Sequence, residues 1–424
     1  MTGQAALLPA RRIAPPDWMT DPATARVVQA LAADGAAVRF VGGCVRDALM
    51  GIAAKDVDIA VAMRPEVTLR LLRMAGLRAE PTGIAHGTVS AFVDRRTFEV
   101  TSLRVDAETF GRHARVAFTD DWRADAARRD FTMNALYADS DGAIYDPIGG
   151  LPDLDARKVR FIGEARQRIA EDALRILRFF RFFARFDPGP PDPAALAACA
   201  ADRHLLRGLS GERLREECLG ILRTARAAAA FRLMAECGVA EPLIGPAPAL
   251  DRLDALVAAE ARHGCAPAPQ LRLAALLPDR PAAASLADRL RLSNRDAAQL
   301  ALLVGLPRAQ AAELAQAAEA PGGSAARRLL QRHGAAAMAG LALLAEAGGL
   351  TEDGGGLIRA SRDWQPIGFP LRGADLLARG VPAGPAVGRL LAAVRLWWEE
   401  GDYRADRAAC LGELDRLLAA GEGA

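Results

Sequence analysis

The hydrophobic pattern divides the chain into two unlike stretches. Over the first 150 residues short apolar runs alternate with polar breaks, which predicts strands interleaved with helices. Asp21-Pro22 supplies a cap and an opening proline for a helix that Gly35 closes. "AVRFVG" reads as a buried strand and "KDVDIAV" as a second. "GTVSAFVD" and "TFEVTSLR" alternate with period two on either side of Arg95-Arg96 and predict a hairpin. "NALYAD" and "AIYDP" add two short strands around Asp141-Gly142. From Arg104 to Asp125 the pattern is polar and weak, which predicts a mobile loop.

Past Gly163 the strand signal stops. "EARQRIAEDALRILRFFRFFARF" predicts one long helix ended by "DPGPPDP", and helical patterns with Pro/Gly breaks run on to the end. The fold class is therefore α+β, a mixed-sheet head followed by an all-helical neck, body and tail. The expected domains are a catalytic head over residues 1–150, a helical neck over 151–245, and a body and tail over 246–424.

Composition narrows this only slightly. A chain of 424 residues with 51% hydrophobic and 25% charged residues is globular and larger than one core usually serves. The net charge of +2 excludes a uniformly basic nucleic-acid binder, so any basic surface has to be local. Lys55 and Lys158 are the only lysines among 54 basic residues, a bias that points to genome composition rather than chemistry. Six cysteines without C-x-x-C spacing suggest neither zinc nor disulfides, and a reduced cytoplasmic setting fits. The first 18 residues lack the charged start and apolar core of a signal peptide. The apolar stretch from Gly334 is short and carries Glu346, so a core helix is the better reading and no membrane is expected.

The chemistry begins at "GGCVRDALMGIAAKDVDIA", Gly42 to Ala60. Residues i and i+2 of a strand share a face, so Asp56 and Asp58 project together and need a counter-charge. A divalent metal such as magnesium supplies one, held by carboxylates and substrate phosphates. Gly42 and Gly43 would let the backbone approach a phosphate, and Arg46, in the following helix, would reach the same triphosphate. Further on, Asp172, Arg175, Arg178 and Arg181 recur every three residues along one ridge. Nine basic and five acidic residues lie between Asp153 and Arg185, which is the local basic surface the overall charge requires. Taken by itself, that ridge reads rather as an amphipathic helix with a solvated arginine face.

"GGCVRDALMG…KDVDIA", "RRDFTMNALYAD" from Arg128, and "EDALRILRFFRF" together resemble the nucleotidyltransferase superfamily, in the branch of bacterial CCA-adding tRNA nucleotidyltransferases and poly(A) polymerases. The resemblance implies a polymerase-β-like head. It implies that Glu99, on a later strand, is a third metal carboxylate, although an ordinary exposed strand residue reads the same way. It assigns Arg129 to the nucleotide phosphates, Asp130 to the ribose 2′-hydroxyl, and Asp172 and Arg175 to an amino-acid template for CTP or ATP. Arg178 and Arg181 would support the template and neutralise phosphates, and Gly149-Gly150 would form a hinge. "LSGERLREECLGIL" resembles a scaffolding helix of the neck, opened by Ser210 as its N-cap, and "FPLRGADLLARGVPAGPAVGRLLAAV" a tail that grips the tRNA elbow.

One departure is Pro278-Asp279, which stands where some relatives carry the His-Asp pair of a phosphohydrolase domain. The five histidines, His86 and His113 included, form no such site in the sequence. The implied activity is addition of CCA to the 3′ end of tRNA from CTP and ATP with Mg2+, and no obligate protein partner is indicated. Poly(A) synthesis, C-only or A-only addition, and a non-catalytic RNA-binding relative remain the alternatives.

Overall fold

Residues 7–110, 113–186 and 189–421 are described by the computed structural model, with side chains described outside 106–115 and 306–309. The first six residues, the first two residues of "DPGPPDP" and the last three residues given lie outside them. Two compact units are formed, Met1–Pro246 and Ala247–Ala424.

The first unit carries ten described strands: β1 Arg11–Arg12, β2 Val38–Val41, β3 Val57–Val61, β4 Arg78–Gly83, β5 Thr88–Val93, β6 Arg96–Ser102, β7 Arg104–Phe110, β8 His113–Phe118, β9 Tyr137–Ala138 and β10 Ala143–Tyr145. Eight form one mixed sheet in the order β1-β10-β9-β2-β3-β6-β5-β4. Its one parallel pairing is β3 with β6. Ile59, Val61, Val89 and Val100 are fully buried along it, because β-branched side chains suit a pleated, covered face. The β5–β6 hairpin turns on Asp94 and Arg95, both with positive φ, a two-residue loop whose twist matches that of the strands.

Two expectations are corrected here. The segment from Arg104 to Asp125 is no patternless loop. It forms the β7–β8 hairpin and then a helix, Trp122–Ala127, capped by Asp121; residues 111 and 112 lie outside the described residues. These strands pair only with each other among the described residues and stand outside the eight-stranded sheet. The long neck helix is in fact two, Ala165–Glu171 and Leu174–Phe186, separated at an extended Asp172 (φ −152°, ψ 104°). The Asp172 carboxylate accepts from the Leu174 amide at 3.1 Å, a local bond that competes with helix continuation.

The second neck helix meets the head through aromatic rings. Phe131 lies 4.8 Å from Phe161 and 5.4 Å from Phe182, and Phe161 stacks on Phe179 at 5.9 Å. Burying each ring is worth about 1.5–3 kcal/mol, so this cluster fastens the Arg128–Asp139 motif to the neck. Gly150 is held in close packing. A Cβ there would stand 2.2 Å from the Thr132 carbonyl oxygen, and the Gly150 amide donates to Asp146 at 2.7 Å. Gly150→Ala should therefore lower stability by about 1–3 kcal/mol; an unchanged melting temperature would contradict this.

In the second unit every described element is helical. Asp279 caps the helix Arg280–Arg289, its carboxylate accepting from the Ala282 amide at 2.9 Å. His263 meets Glu346 at 2.8 Å and Asp353 at 3.6 Å, a grouping the sequence does not reveal, and Arg262 also donates to Glu346. The apolar stretch after Gly334 is the helix Ala335–Ala347, with Met338, Leu341 and Leu344 buried. Among the described residues no helix is long and apolar enough to cross a membrane.

Candidate active site

The sheet order brings the carboxylates together. Asp58 on β3 sits in register with Glu99 on β6, and residues side by side in a sheet share a face. Asp56 directly precedes β3 and is exposed, as is Glu99, whereas Asp58 is half-buried. Burial first, then the Glu99 and Asp56 charges, push the Asp58 carboxyl up to about 6 against the opposing pull of Arg129. Three acidic groups on one patch, one of them hard to ionise, are a donor set suited to a hard divalent cation.

Gly42 follows β2 with φ 73° and ψ −122°, a conformation open to glycine. A Cβ there would stand 3.5 Å from Arg129 NH1 and 3.6 Å from the Asn134 carbonyl oxygen. Arg129 therefore lies across the glycine turn from the strand end. Gly42→Ala should cost about 1–3 kcal/mol through backbone strain. Equal stability of the variant would contradict that reading. Gly43 opens the short helix Gly43–Leu49.

Arg46 is placed otherwise than expected. It is 4% exposed, donates to Asp47 at 2.9 and 2.7 Å and to Asn134 at 2.6 Å, and lies 5.0 Å from the ring centres of both Phe182 and Phe186. A guanidinium so enclosed ties head to neck rather than reaching a triphosphate. Asp47 extends the tie by accepting from Arg185 at 2.7 Å.

The Arg129 Nε and NH2 groups donate to Asp125 at 3.3 and 2.9 Å. Asp130, 8% exposed, accepts from Asn134 at 3.0 Å, from its neighbour Phe131 amide at 2.9 Å, and from Arg178 at 2.7 Å. Burial alone would raise its carboxyl, but Arg178 and the Asn134 bond hold it below the ordinary range. Arg181 donates to Glu217 at 2.6 Å, and Gly220 makes room for it, since a Cβ there would meet Arg181 Cδ at 2.7 Å. Arg178 thus holds the head carboxylate of Asp130 and Arg181 the neck carboxylate of Glu217, while both side chains stay partly exposed.

Asp172 is not on the ridge of the arginines but at the break before it. Its second oxygen accepts from Arg213 at 2.8 Å. Arg175 donates to Glu171 at 2.6 Å, to the Arg168 carbonyl at 2.9 Å and to the Arg128 carbonyl at 3.2 Å. The last bond sets Arg175 beside the Arg128–Asp130 motif. Three of the five guanidinium N–H groups are used, leaving two, and the Asp172 carboxylate keeps about two of its four acceptor positions.

Asp125, Asp47, Glu171, Arg213 and Glu217 were missed by sequence reasoning. Asp125 stands three and four residues before Arg128 and Arg129, and Glu171 four before Arg175, spacings that signal ion pairs on a helix. The partners of Arg213 and Glu217 are distant in sequence and carry no such signal.

Residues 38–160 match the family model of the poly A polymerase head domain, and residues 191–253 that of the probable RNA and SrmB-binding site of polymerase A. Mitochondrial CCA tRNA nucleotidyltransferase 1 of Mus musculus is 34% identical over 383 residues, covering 89% of this chain and 86% of that protein. The CCA-adding enzyme of Enterococcus faecalis is 38% identical over 200 residues, 47% of this chain and 48% of that one. The solved structure of the Bacillus stearothermophilus CCA-adding enzyme in complex with CTP superposes with a TM-score of 0.74 at 27% identity, covering 97% of this chain and 99% of that one. A mixed-sheet head with facing carboxylates, a neck whose arginines reach the Arg128–Asp130 motif, and identity sustained over most of the length agree: the chain belongs to the CCA tRNA nucleotidyltransferase family.

Proposed function

We propose that the protein adds C, C and A in turn to the 3′ end of tRNA, consuming two CTP and one ATP and releasing pyrophosphate at each step. The observation that supports this is the hydrogen bond from Arg175 to the Arg128 carbonyl, which brings Arg175, assigned here to the base, close to Arg129, assigned here to the phosphates.

In this reading the tRNA 3′-hydroxyl attacks the α-phosphate, and the bond to pyrophosphate breaks. The family is metal-dependent, and we assign Mg2+ to Asp56 and Asp58, with Glu99 as the third donor. The ion would neutralise charge on the phosphates and favour ionisation of the attacking hydroxyl. Arg129 holds the triphosphate against the Gly42-Gly43 turn, and Asp130 accepts from the ribose 2′-hydroxyl. Asp172 accepts from the exocyclic amine that cytosine and adenine share, and Arg175 donates to the adjoining ring nitrogen. Uracil and guanine reverse that pattern and leave buried donors and acceptors unpaired.

The division of labour we assign is catalysis to residues 1–150, nucleotide choice to 151–245 and tRNA binding to 246–424. Six free cysteines suit a reducing compartment, and we assign the cytoplasm. The test is incubation with tRNA lacking its terminal CCA and each labelled nucleotide separately, with Mg2+. CTP should be incorporated while UTP and GTP are refused, and ATP should be taken up once two C residues are in place. No incorporation of any nucleotide would overturn the proposal.

A further inference from the structure

Asp125 is the point where several elements of the head converge. Its side chain is 1% exposed, on the helix Trp122–Ala127. One oxygen accepts from Arg128 at 3.0 and 2.7 Å and from the Arg104 amide, at the base of the β7–β8 hairpin, at 3.3 Å. The other accepts from Arg129 at 3.3 and 2.9 Å and from the Tyr137 hydroxyl at 2.7 Å. The Tyr137 ring lies 5.5 Å from the Arg129 guanidinium carbon. Two of the three guanidinium nitrogens of Arg129 are thereby fixed. The third, NH1, is the one that faces Gly42.

One buried carboxylate serving two arginines leaves a surplus positive charge. Burial alone would raise the Asp125 carboxyl, yet Arg129, Arg128 and the Tyr137 hydroxyl hold it at about 2, so it stays ionised. Of the two arginines, Arg129 is the one whose charge reaches Asp58. An arginine held on two nitrogens presents its remaining N–H groups at a fixed place, and a fixed donor loses little entropy when it meets a phosphate.

We infer that Asp125 is a positioning residue for nucleotidyl transfer: with Tyr137 it clamps Arg129 so that NH1 faces the glycine turn, and so sets where the incoming triphosphate sits. This rests on the reading that Arg129 contacts the nucleotide phosphates, and the test separates the two.

Steady-state kinetics of CTP addition to tRNA lacking CCA are measured on the full chain for Arg129→Gln, Asp125→Asn, Tyr137→Phe and the two double variants with Arg129→Gln. Thermal melting of each variant is recorded alongside. Arg129→Gln should lower kcat/KM for CTP by about 10–100-fold, the size of a lost charged hydrogen bond. Asp125→Asn should fall in the same range and Tyr137→Phe by about 3–10-fold. Both losses should lie mainly in KM for CTP, with KM for tRNA unchanged. In the Arg129→Gln background neither substitution should add more than about threefold.

If Arg129→Gln retains full kcat/KM, the phosphate reading itself fails. If Arg129→Gln is impaired but Asp125→Asn keeps its KM for CTP, or the effects multiply in the double variant, the positioning role is overturned. Should Asp125→Asn not fold, Tyr137→Phe decides: an unchanged KM for CTP in the folded variant rejects the clamp.

Discussion

Asp58→Asn should lower nucleotidyl transfer by about a thousandfold or more and at the same time make the metal-free protein more stable above pH 6. The loss follows from removing one of the carboxylates assigned to the cation, whose stabilisation of transition-state charge amounts to several kcal/mol. The gain follows from the surroundings of Asp58. Its folded carboxyl is raised from 3.8 to about 6 by burial and by Glu99, so folding favours the protonated form. That contribution is fully present below about pH 4 and is lost as the pH rises to about 6 and beyond. An asparagine carries no such penalty, and the gain at pH 7.5 should be on the order of 1–3 kcal/mol, vanishing near pH 4. Denaturant unfolding of both proteins in chelator, at pH 4 and 7.5, measures it. A variant less stable than the parent at pH 7.5, or one that still transfers nucleotides, contradicts the assignment.

Asp172→Ala should blunt the choice of nucleotide more than the rate. It removes the acceptor proposed for the exocyclic amine, so discrimination against UTP should fall by about 10–100-fold, the value of one unmade hydrogen bond at a buried site. It also removes the local bond to the Leu174 amide and the partner of Arg213, at about 1 kcal/mol of stability. Arg175→Ala should lose discrimination similarly and also release the Arg128 carbonyl. The ratio of kcat/KM values for CTP and UTP on the same tRNA is the measure. A ratio equal to that of the parent in both variants would mean that the base is read elsewhere.

Much of the head was legible because period-2 alternation and glycine turns are local signals. β2, β3, β5 and β6 follow from their Val, Ile and Phe positions. The alignment of Asp58 with Glu99 does not, because parallel register is set by elements some forty residues apart. The β7–β8 hairpin was misread because charged residues interrupt its few large apolar positions, Val105, Phe110, Val116 and Phe118, so the apolar signal is weak. Asp172 looked like the first step of a helical ridge because its spacing from Arg175 is helical. Its own side chain breaks the helix, which no periodicity records. Arg46 looked like a phosphate ligand by its place after the glycines. Only the packing of Phe182 and Phe186 around it reveals a buried tie between head and neck.

We assign to one site, Asp56, Asp58, Arg129, Asp172 and Arg175, the building of a defined trinucleotide without a nucleic-acid template. The most direct test is to incubate the protein with Mg2+, CTP, ATP and tRNA lacking CCA, and then to read the sequence of the new 3′ ends. Extension should stop after three nucleotides with the sequence C-C-A. Runs of A added to the same tRNA, or to any RNA supplied, would contradict it.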